Sequence, residues 1–289
     1  MLRRLALWCL TFLLVVEVRP ASAACSVNFT ENWDEAACCD LSDSRWITTQ
    51  VVLPLGAGTY LRDPLATFSD EPLLPVSNAG DLELYWTNGA ADAEDLATTP
   101  DSEEGNYDLC HVTMEGVFAI VGDINAAQPR AGAVARHSGP PFIGPRKFYC
   151  AYASVQNEGG TLKIRLRLEK YIGLGFEPLD IGPPASDPFG FSEAENFRVG
   201  IEVSERGDDG NSRLTGYLDR LSVVGGALHY ERLVNLTGLD NDLDRGQIGL
   251  YNAAGSIQPE IGWDENIALV SPATPVRRAS WGGLKTVYR

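Results

Sequence analysis

The 289-residue chain carries 23 Lys and Arg against 39 Asp and Glu, a formal net charge of −16. Hydrophobic content of 44% with 21% charged residues excludes wholesale disorder, and the acidic balance argues against nucleic acid as a partner, because phosphate binding needs clustered Lys and Arg. With 29 Gly and 17 Pro beside 2 Met and 3 His, the composition favours turn-rich β structure over helical bundles, and the length fits one large domain or two small ones.

In chain order, residues 1–23 read as a secretory signal. Arg3 and Arg4 give the positive start, residues 5–16 an apolar run, and Ala21-Ser22-Ala23 the small-x-small pattern of a cleavage site. The run is shorter than the ~20 residues that span a bilayer as a helix, and no later segment reaches that length. The expectation is an exported protein, secreted or at the cell surface, with no transmembrane span. Removing residues 1–23 leaves 20 basic and 38 acidic residues.

Five cysteines remain after Cys9 is removed: Cys25, Cys38, Cys39, Cys110 and Cys150. In an oxidising compartment four could form two disulfides. Cys110 and Cys150 fall in predicted strands and are the preferred pair. Cys25 would join Cys38 or Cys39, leaving one thiol, or would be a lipid-attachment cysteine, leaving an even four. Ser22-Ala23-Ala24-Cys25 lacks the aliphatic residue that lipidation usually requires three places earlier.

The remaining chain reads as short strands. Those predicted cover residues 46–53, 81–87, 109–121, 131–137, 147–155, 161–170, 197–204, 213–221, 227–234, 247–251 and 265–270. The clearest has Leu162, Ile164, Leu166 and Leu168 alternating with Lys163, Arg165, Arg167 and Glu169, one dry face and one wet face at period two. Phe197, Val199, Ile201 and Val203 repeat the pattern. Asn157-Glu158-Gly159-Gly160 and Asp208-Asp209-Gly210-Asn211 read as hairpin turns. Residues 88–105 read as a solvated loop, and 174–191, with four Pro, as a long surface loop. The predicted fold is all-β, a two-sheet antiparallel jelly-roll sandwich over residues 24–270. Beyond it lies a Pro-containing linker and basic tail, 271–289.

Several segments, in this order, resemble the concanavalin A-like lectin/glucanase superfamily, specifically its laminin G-like members. They are Val27-Asn28-Phe29-Thr30 with Trp46-Ile47-Thr48, then Ala131-Gly132-Ala133-Val134-Ala135-Arg136 with Phe148-Tyr149-Cys150-Ala151-Tyr152. Phe197-Arg198-Val199-Gly200-Ile201 and Arg213-Leu214-Thr215-Gly216-Tyr217-Leu218 follow. Gly246-Gln247-Ile248-Gly249-Leu250-Tyr251 and Trp263-Asp264-Glu265-Asn266-Ile267 close the series. The resemblance implies a two-sheet jelly roll that binds glycans or proteins, often with calcium; a minority of members are glycosidases. Fold alone does not choose among these.

A retaining glucanase needs two carboxylates a few Å apart. The superfamily's E-x-D-x-x-E motif is absent, and the nearest approach is Asp81 and Glu83, which share a strand face. No catalytic residue is assigned beyond these weak candidates. No G-x-S-x-G elbow accompanies His111, His137 or His229, and no His/Cys spacing fits zinc. Calcium is the metal the sequence favours, because Asp240, Asp242 and Asp244 alternate in a loop and offer hard oxygen ligands. The segment departs from an EF-hand loop, with Tyr251 where the closing Glu would stand. For a sugar, an aromatic platform with planar polar groups would come from Trp86, Arg136, Tyr152 and Trp263. Tyr149 and Tyr152 fall on opposite faces of their strand. Asn28 and Asn235 head N-glycosylation sequons. The tail has four basic residues and no acid, with Trp281, Leu284 and Tyr288 spaced for one side of a short helix, and is read as a sorting or docking element for a protein partner. The leading expectation is non-catalytic binding of a glycan or cell-surface polysaccharide, with calcium as a candidate cofactor. The alternatives are a glycoside hydrolase and a protein-binding or structural module.

Overall fold

The computed structural model describes residues 28–31, 47–52, 59–63, 83–87, 93–98, 111–121, 124, 128–138, 146–173, 175–193, 195–224, 227–254 and 260–271, the first five segments by their backbone. Sixteen strands form among these residues, paired antiparallel into two sheets.

The first sheet runs β14 (Ala227–Asp240), β13 (Ser212–Val224), β12 (Phe197–Arg206), β6 (His111–Val121), β16 (Glu260–Ser271), β4 (Glu83–Thr87) and β3 (Thr59–Asp63). Strand β1 (Asn28–Glu31) pairs with β16 at Asn266 to Leu269, beyond the stretch Glu260 to Trp263 that β4 occupies. The second sheet runs β10 (Gly175–Pro178), β9 (Thr161–Gly173), β8 (Arg146–Glu158), β7 (Arg130–Ser138), β15 (Gln247–Ala254), β5 (Ala93–Thr98) and β2 (Ile47–Val52), with β11 (Phe189–Gly190) also on β9.

Period-two alternation explains why these sheets face each other. On β9, Ile164, Leu166 and Leu168 point into the core; on β12, Phe197, Val199, Ile201 and Val203 answer them, all with 0–1% exposure. Each such side chain contributes roughly 1.5–3 kcal/mol by leaving water. Alanines 131, 133, 135, 151 and 153 keep the facing layer thin. A Cβ on Gly216 would lie 3.0 Å from the Ala151 Cβ, so the sheets touch closely there.

The predicted hairpins form as expected. Glu158 pairs with Thr161 across Gly159 and Gly160, and Arg206 pairs with Ser212 around the second turn. Two expectations of loop are corrected. Segment 88–105 contributes β5, which pairs on both sides, with β15 and with β2; its acidic and small residues carry no strand signal, because the ladder uses only the backbone. Segment 174–191 contributes β10 and β11, and bridges Arg167 to Ala185 and Ile181 to Leu239. Prolines are tolerated there because the segment runs along the sheet edge, where a missing N–H breaks no central ladder. Strand β3 has no counterpart in the predicted set.

The outer surface of the first sheet is held by charge. Asp219, 1% exposed, accepts hydrogen bonds from Arg198 Nη2 at 2.6 Å and from Arg232, while Tyr217 donates to Glu115. The Arg198 and Arg232 guanidinium groups also lie over the Tyr230 and Tyr217 rings, at 3.9 and 4.1 Å from the centroids. Asp219→Asn should lower stability by about 1–3 kcal/mol, the cost of weakening hydrogen bonds to charged groups, as read by urea unfolding.

Candidate functional site

The outward positions of the second sheet build a different surface. On β8 the alternation sends Tyr149, Ala151, Ala153 and Val155 inward and Phe148, Cys150 and Tyr152 outward. Tyr171 and Phe176 extend this layer from β9 and β10, and Tyr251 from β15. Phe148 stacks on Tyr171 at 4.8 Å, and the Phe176 ring lies edge-on to Tyr171 and Tyr251 at 5.1 and 5.5 Å. The result is a nearly fully buried aromatic layer, a shelf of packed rings rather than a wet sheet face.

At one side of this shelf opens a cavity of about 300 Å³, lined by Arg130, Tyr152, Ser154, Gln156, Arg167, Glu169 and Phe176. The volume is at the small end for ligand cavities. The Tyr152 hydroxyl donates to Glu169 Oε2 at 2.5 Å, and Arg167 Nη1 donates to Oε1 at 3.2 Å. Burial, with the Glu169 carboxylate beside it, holds the Tyr152 phenol far above the ordinary tyrosine value, so it remains a protonated donor. Of the expected ligand-binding residues whose side chains are described, Tyr152 alone lines this cavity. Arg130, Gln156, Arg167 and Phe176 complete it and escape sequence reading. They come from four strands, although Arg165, Arg167 and Glu169 already stand on the predicted wet face of β9.

A second polar cluster sits at one end of the inter-sheet space. The period that buries Leu166 and Leu168 carries Lys170 onto the same dry face. Its Nζ donates to Asp180 at 2.9 Å, Asp240 at 2.6 Å and Asp242 at 2.5 Å. Asp240 is fully buried and also accepts from the Tyr149 hydroxyl at 2.7 Å and from the Asp242 N–H at 2.9 Å. Burial alone would lower the Lys170 pKa, but the three carboxylates outweigh it and hold the ammonium above its usual range. Burial would raise the Asp240 carboxyl; Lys170, the Asp242 N–H and Tyr149 together hold it below the usual range.

This geometry tests the calcium expectation. Asp180, Asp240 and Asp242 bring carboxylate oxygens within 4.8 Å of one another, whereas Asp244 is exposed and stands outside the group. The Lys170 ammonium supplies the positive charge at their centre. A divalent ion could enter only by displacing it, so the residues present do not fit resident calcium.

Two further candidates are core residues. Trp263 has no exposure and packs against Phe118 at 5.5 Å, because its position on β16 faces inward; it is corrected from sugar platform to core filler. Arg136 is likewise fully buried, in a left-handed conformation (φ 55°) where β7 bulges. Its Nη1 donates to Ser212 Oγ and the Leu243 carbonyl, and its Nη2 to the Ser204 carbonyl, all at 2.7 Å. It ties the second sheet to the first, so its guanidinium is spent on the fold and is corrected from ligand binding. Trp86 and Glu83 lie on β4 of the first sheet, whose side chains are outside the described set; Asp81 lies outside the described residues altogether. Cys150 is buried in the aromatic layer; Cys110, Cys25, Cys38 and Cys39 lie outside the described residues, as do segments 1–23 and 272–289. Among the described residues no helix is long and apolar enough to cross a membrane.

No protein-family model matches the chain, and no curated protein matches it by sequence. Among solved structures it is similar to a lectin, UEA-II, complexed with galactose, at 8% identity and a TM-score of 0.44, covering 85% of this chain and 98% of that one. It is also similar to a lectin from Bauhinia forficata in complex with GalNAc, at 10% identity and TM-score 0.41, covering 86% and 100%. A third is the exoplasmic/lumenal domain of VIP36 in a Ca2+/Man2-bound form, at 11% identity and TM-score 0.44, covering 86% and 90%. At TM-scores below 0.5 these likenesses say nothing about the ligand of this chain. Its fold class rests on the strand pairing described above.

Proposed function

We propose that this chain is an exported, non-catalytic carbohydrate-recognition module, and that the cavity on the outer face of the second sheet is its binding site. The observation that carries the reading is the lining itself. An aromatic ring (Phe176) stands beside the planar polar side chains of Arg130, Gln156 and Arg167, with the Tyr152 phenol bonded to Glu169 in the same lining. A sugar unit presents one apolar face for a ring and a rim of hydroxyls for planar hydrogen-bonding groups, which is the complement of this lining. The non-catalytic part is supported by chemistry. Glycoside hydrolysis uses two carboxyl groups flanking the bond, and among the described lining residues Glu169 is the one carboxylate, already engaged by Tyr152 and Arg167. Export follows from the signal-like segment 1–23.

A glycan array probed with residues 24–289, in calcium and again in EDTA, tests this. We expect binding to a restricted sugar set, unchanged by EDTA because Lys170 takes the cation's place. Phe176→Ala should weaken it at least tenfold, a loss of about 1.4 kcal/mol, with the thermal midpoint monitored in parallel. Silence across a broad array would overturn the reading in favour of a protein-binding module. Loss of signal in EDTA would overturn its metal-independent part.

A further inference from the structure

We infer that the open edge of β14 pairs with the same strand of a second copy of this chain, antiparallel about a two-fold axis, so that the two first sheets join into one. The pairing stands or falls independently of what the cavity binds.

β14 ends the first sheet and has 14 residues, longer than the roughly 3–10 usual for a strand. On one side β13 follows it throughout, from Ser212 opposite Asp240 to Val224 opposite Ala227. On the other side, among the described residues, only Ile181 meets it. The Leu239 N–H donates to the Ile181 carbonyl at 2.8 Å, and the Leu239 carbonyl accepts from the Ile181 N–H at 3.2 Å. Those two bonds fix the direction of the backbone: Leu239 faces away from β13, and alternation turns the N–H and C=O of Thr237 and Asn235 the same way. Beyond the register shift at Leu218 and Asp219 a separate bond gives the direction. The Leu221 N–H donates to the Asn196 carbonyl on the β12 side, so Asp219 faces β12 as well and its partner Arg232 faces outward. Glu231, Arg232, Asn235 and Thr237 are exposed, so this stretch of the edge stands in solvent.

An open strand edge is a template for another strand, and proteins usually guard it with Lys, Pro or a bulge. Residues 227–240 contain neither Lys nor Pro, and the Arg232 guanidinium is turned onto Asp219 and the Tyr217 ring. The bulge is present: Leu233, near the middle of β14, has no counterpart on β13. It would throw a regular foreign strand out of register, whereas a second β14 laid antiparallel carries the same irregularity at the same place. That selects self-pairing over an arbitrary extended peptide. The apolar surface agrees. Ile181 and Val224 are 60% and 64% exposed and stand at opposite ends of β14, one beside Leu239 and the other opposite Ala227. A two-fold axis near Leu233 brings the Val224 end of one copy against the Ile181 end of the other, twice over. Leu233 and Val234, partly buried against the core, meet their own copies near the axis. The cavity is lined from β7 to β10 of the other sheet, so both cavities of the pair stay open.

Sedimentation equilibrium of the mature chain over a range of protein and salt concentrations is the experiment. We expect a monomer–dimer equilibrium that shifts toward dimer as salt is raised, because each copy carries a net −16 and screening removes that repulsion. Two variants locate the contact. Asn235→Pro deletes an outward N–H that the β13 ladder does not use, a position where an edge strand tolerates Pro. Ile181→Asp sets a charge on the exposed apolar end without touching the core. Each should weaken dimerisation at least tenfold, with far-UV circular dichroism showing the strand content of the monomer retained. Should Asn235→Pro fail to fold, Ile181→Asp decides alone. A monomer at every concentration would overturn the pairing, and so would a dimer indifferent to the folded variants. Growth into larger polymers would mean that β14 meets a different edge of the next copy, and would overturn the two-fold arrangement.

Discussion

Lys170→Met should lower stability by about 3–5 kcal/mol, the cost of removing one partner from a buried ion pair. For a domain of this size that is a fall of roughly 6–20 °C in thermal midpoint. The methionine keeps the aliphatic stem, so core packing changes little and the loss isolates the charge. Asp180 and Asp242 have side chains about two-fifths exposed and can be hydrated in the variant, but Asp240 has none of its surface exposed. It would retain the Tyr149 hydroxyl and the Asp242 and Asp180 N–H groups as donors but would lose the cation bonded to it. The double variant Lys170→Met/Asp240→Asn removes that charge too and should recover more than half of the loss. Failure to recover would mean that the lysine stabilises through packing rather than through the ion cluster.

The same cluster sets a pH window. The Asp240 carboxyl is held below its ordinary 3.8 in the folded chain. Its contribution is therefore fully present above pH 3.8 and is lost as pH falls through the lower folded value. Lys170 is held above its ordinary 10.5, so its contribution is intact below pH 10.5 and is lost only as pH rises through the higher folded value. Urea unfolding between pH 7 and pH 2 should show a steeper acid loss in wild type than in the double variant. Equal slopes would show that other carboxylates govern acid unfolding.

This cluster also shows how far the sequence alone could reach. The alternation on β9 is legible because Leu162 to Leu168 sit on one face, and the same arithmetic puts Lys170 on that face. A cation at a dry position demands buried anions, and that demand was readable from the strand. What could not be read was their source. Asp180 lies in a Pro-rich segment that mimics loop composition, and Asp240 is 70 residues away at the end of β14. The alternating Asp240, Asp242 and Asp244 therefore looked like a metal loop. The aromatic shelf was half legible: Tyr152 falls on the outward side by period two, but Phe176 belongs to β10, a strand of four residues without a hydrophobic pattern. Trp263 and Arg136 were misread for the opposite reason. Residue type suggested a ligand contact, whereas facing direction on β16 and the bulge on β7 decided burial.

Gly246→Ala should be about as damaging as loss of Lys170, through the backbone alone. Gly246 adopts φ 139°, which side chains on L residues rarely allow. A Cβ there would stand 2.3 Å from the His137 carbonyl oxygen and 2.5 Å from the Arg136 carbonyl carbon, both main-chain atoms of β7 that cannot swing aside. The residue lies between the Asp240–Asp244 loop and the first pair of β15, Gln247 with His137. Relief of the clash would therefore pull Leu243 away from Arg136 and Tyr149, both bonded to its carbonyl or N–H. We expect at least 3 kcal/mol of destabilisation, combining backbone strain of about 1–3 kcal/mol with the lost contacts. Gly159→Ala is the control. It also has positive φ, at 64°, but sits in an exposed hairpin turn where an added Cβ meets nothing within 4 Å, so its cost should stay near 1 kcal/mol. Similar losses in the two variants would mean that the chain relaxes freely at Gly246, and that the Arg136 anchor between the sheets is not held by this loop.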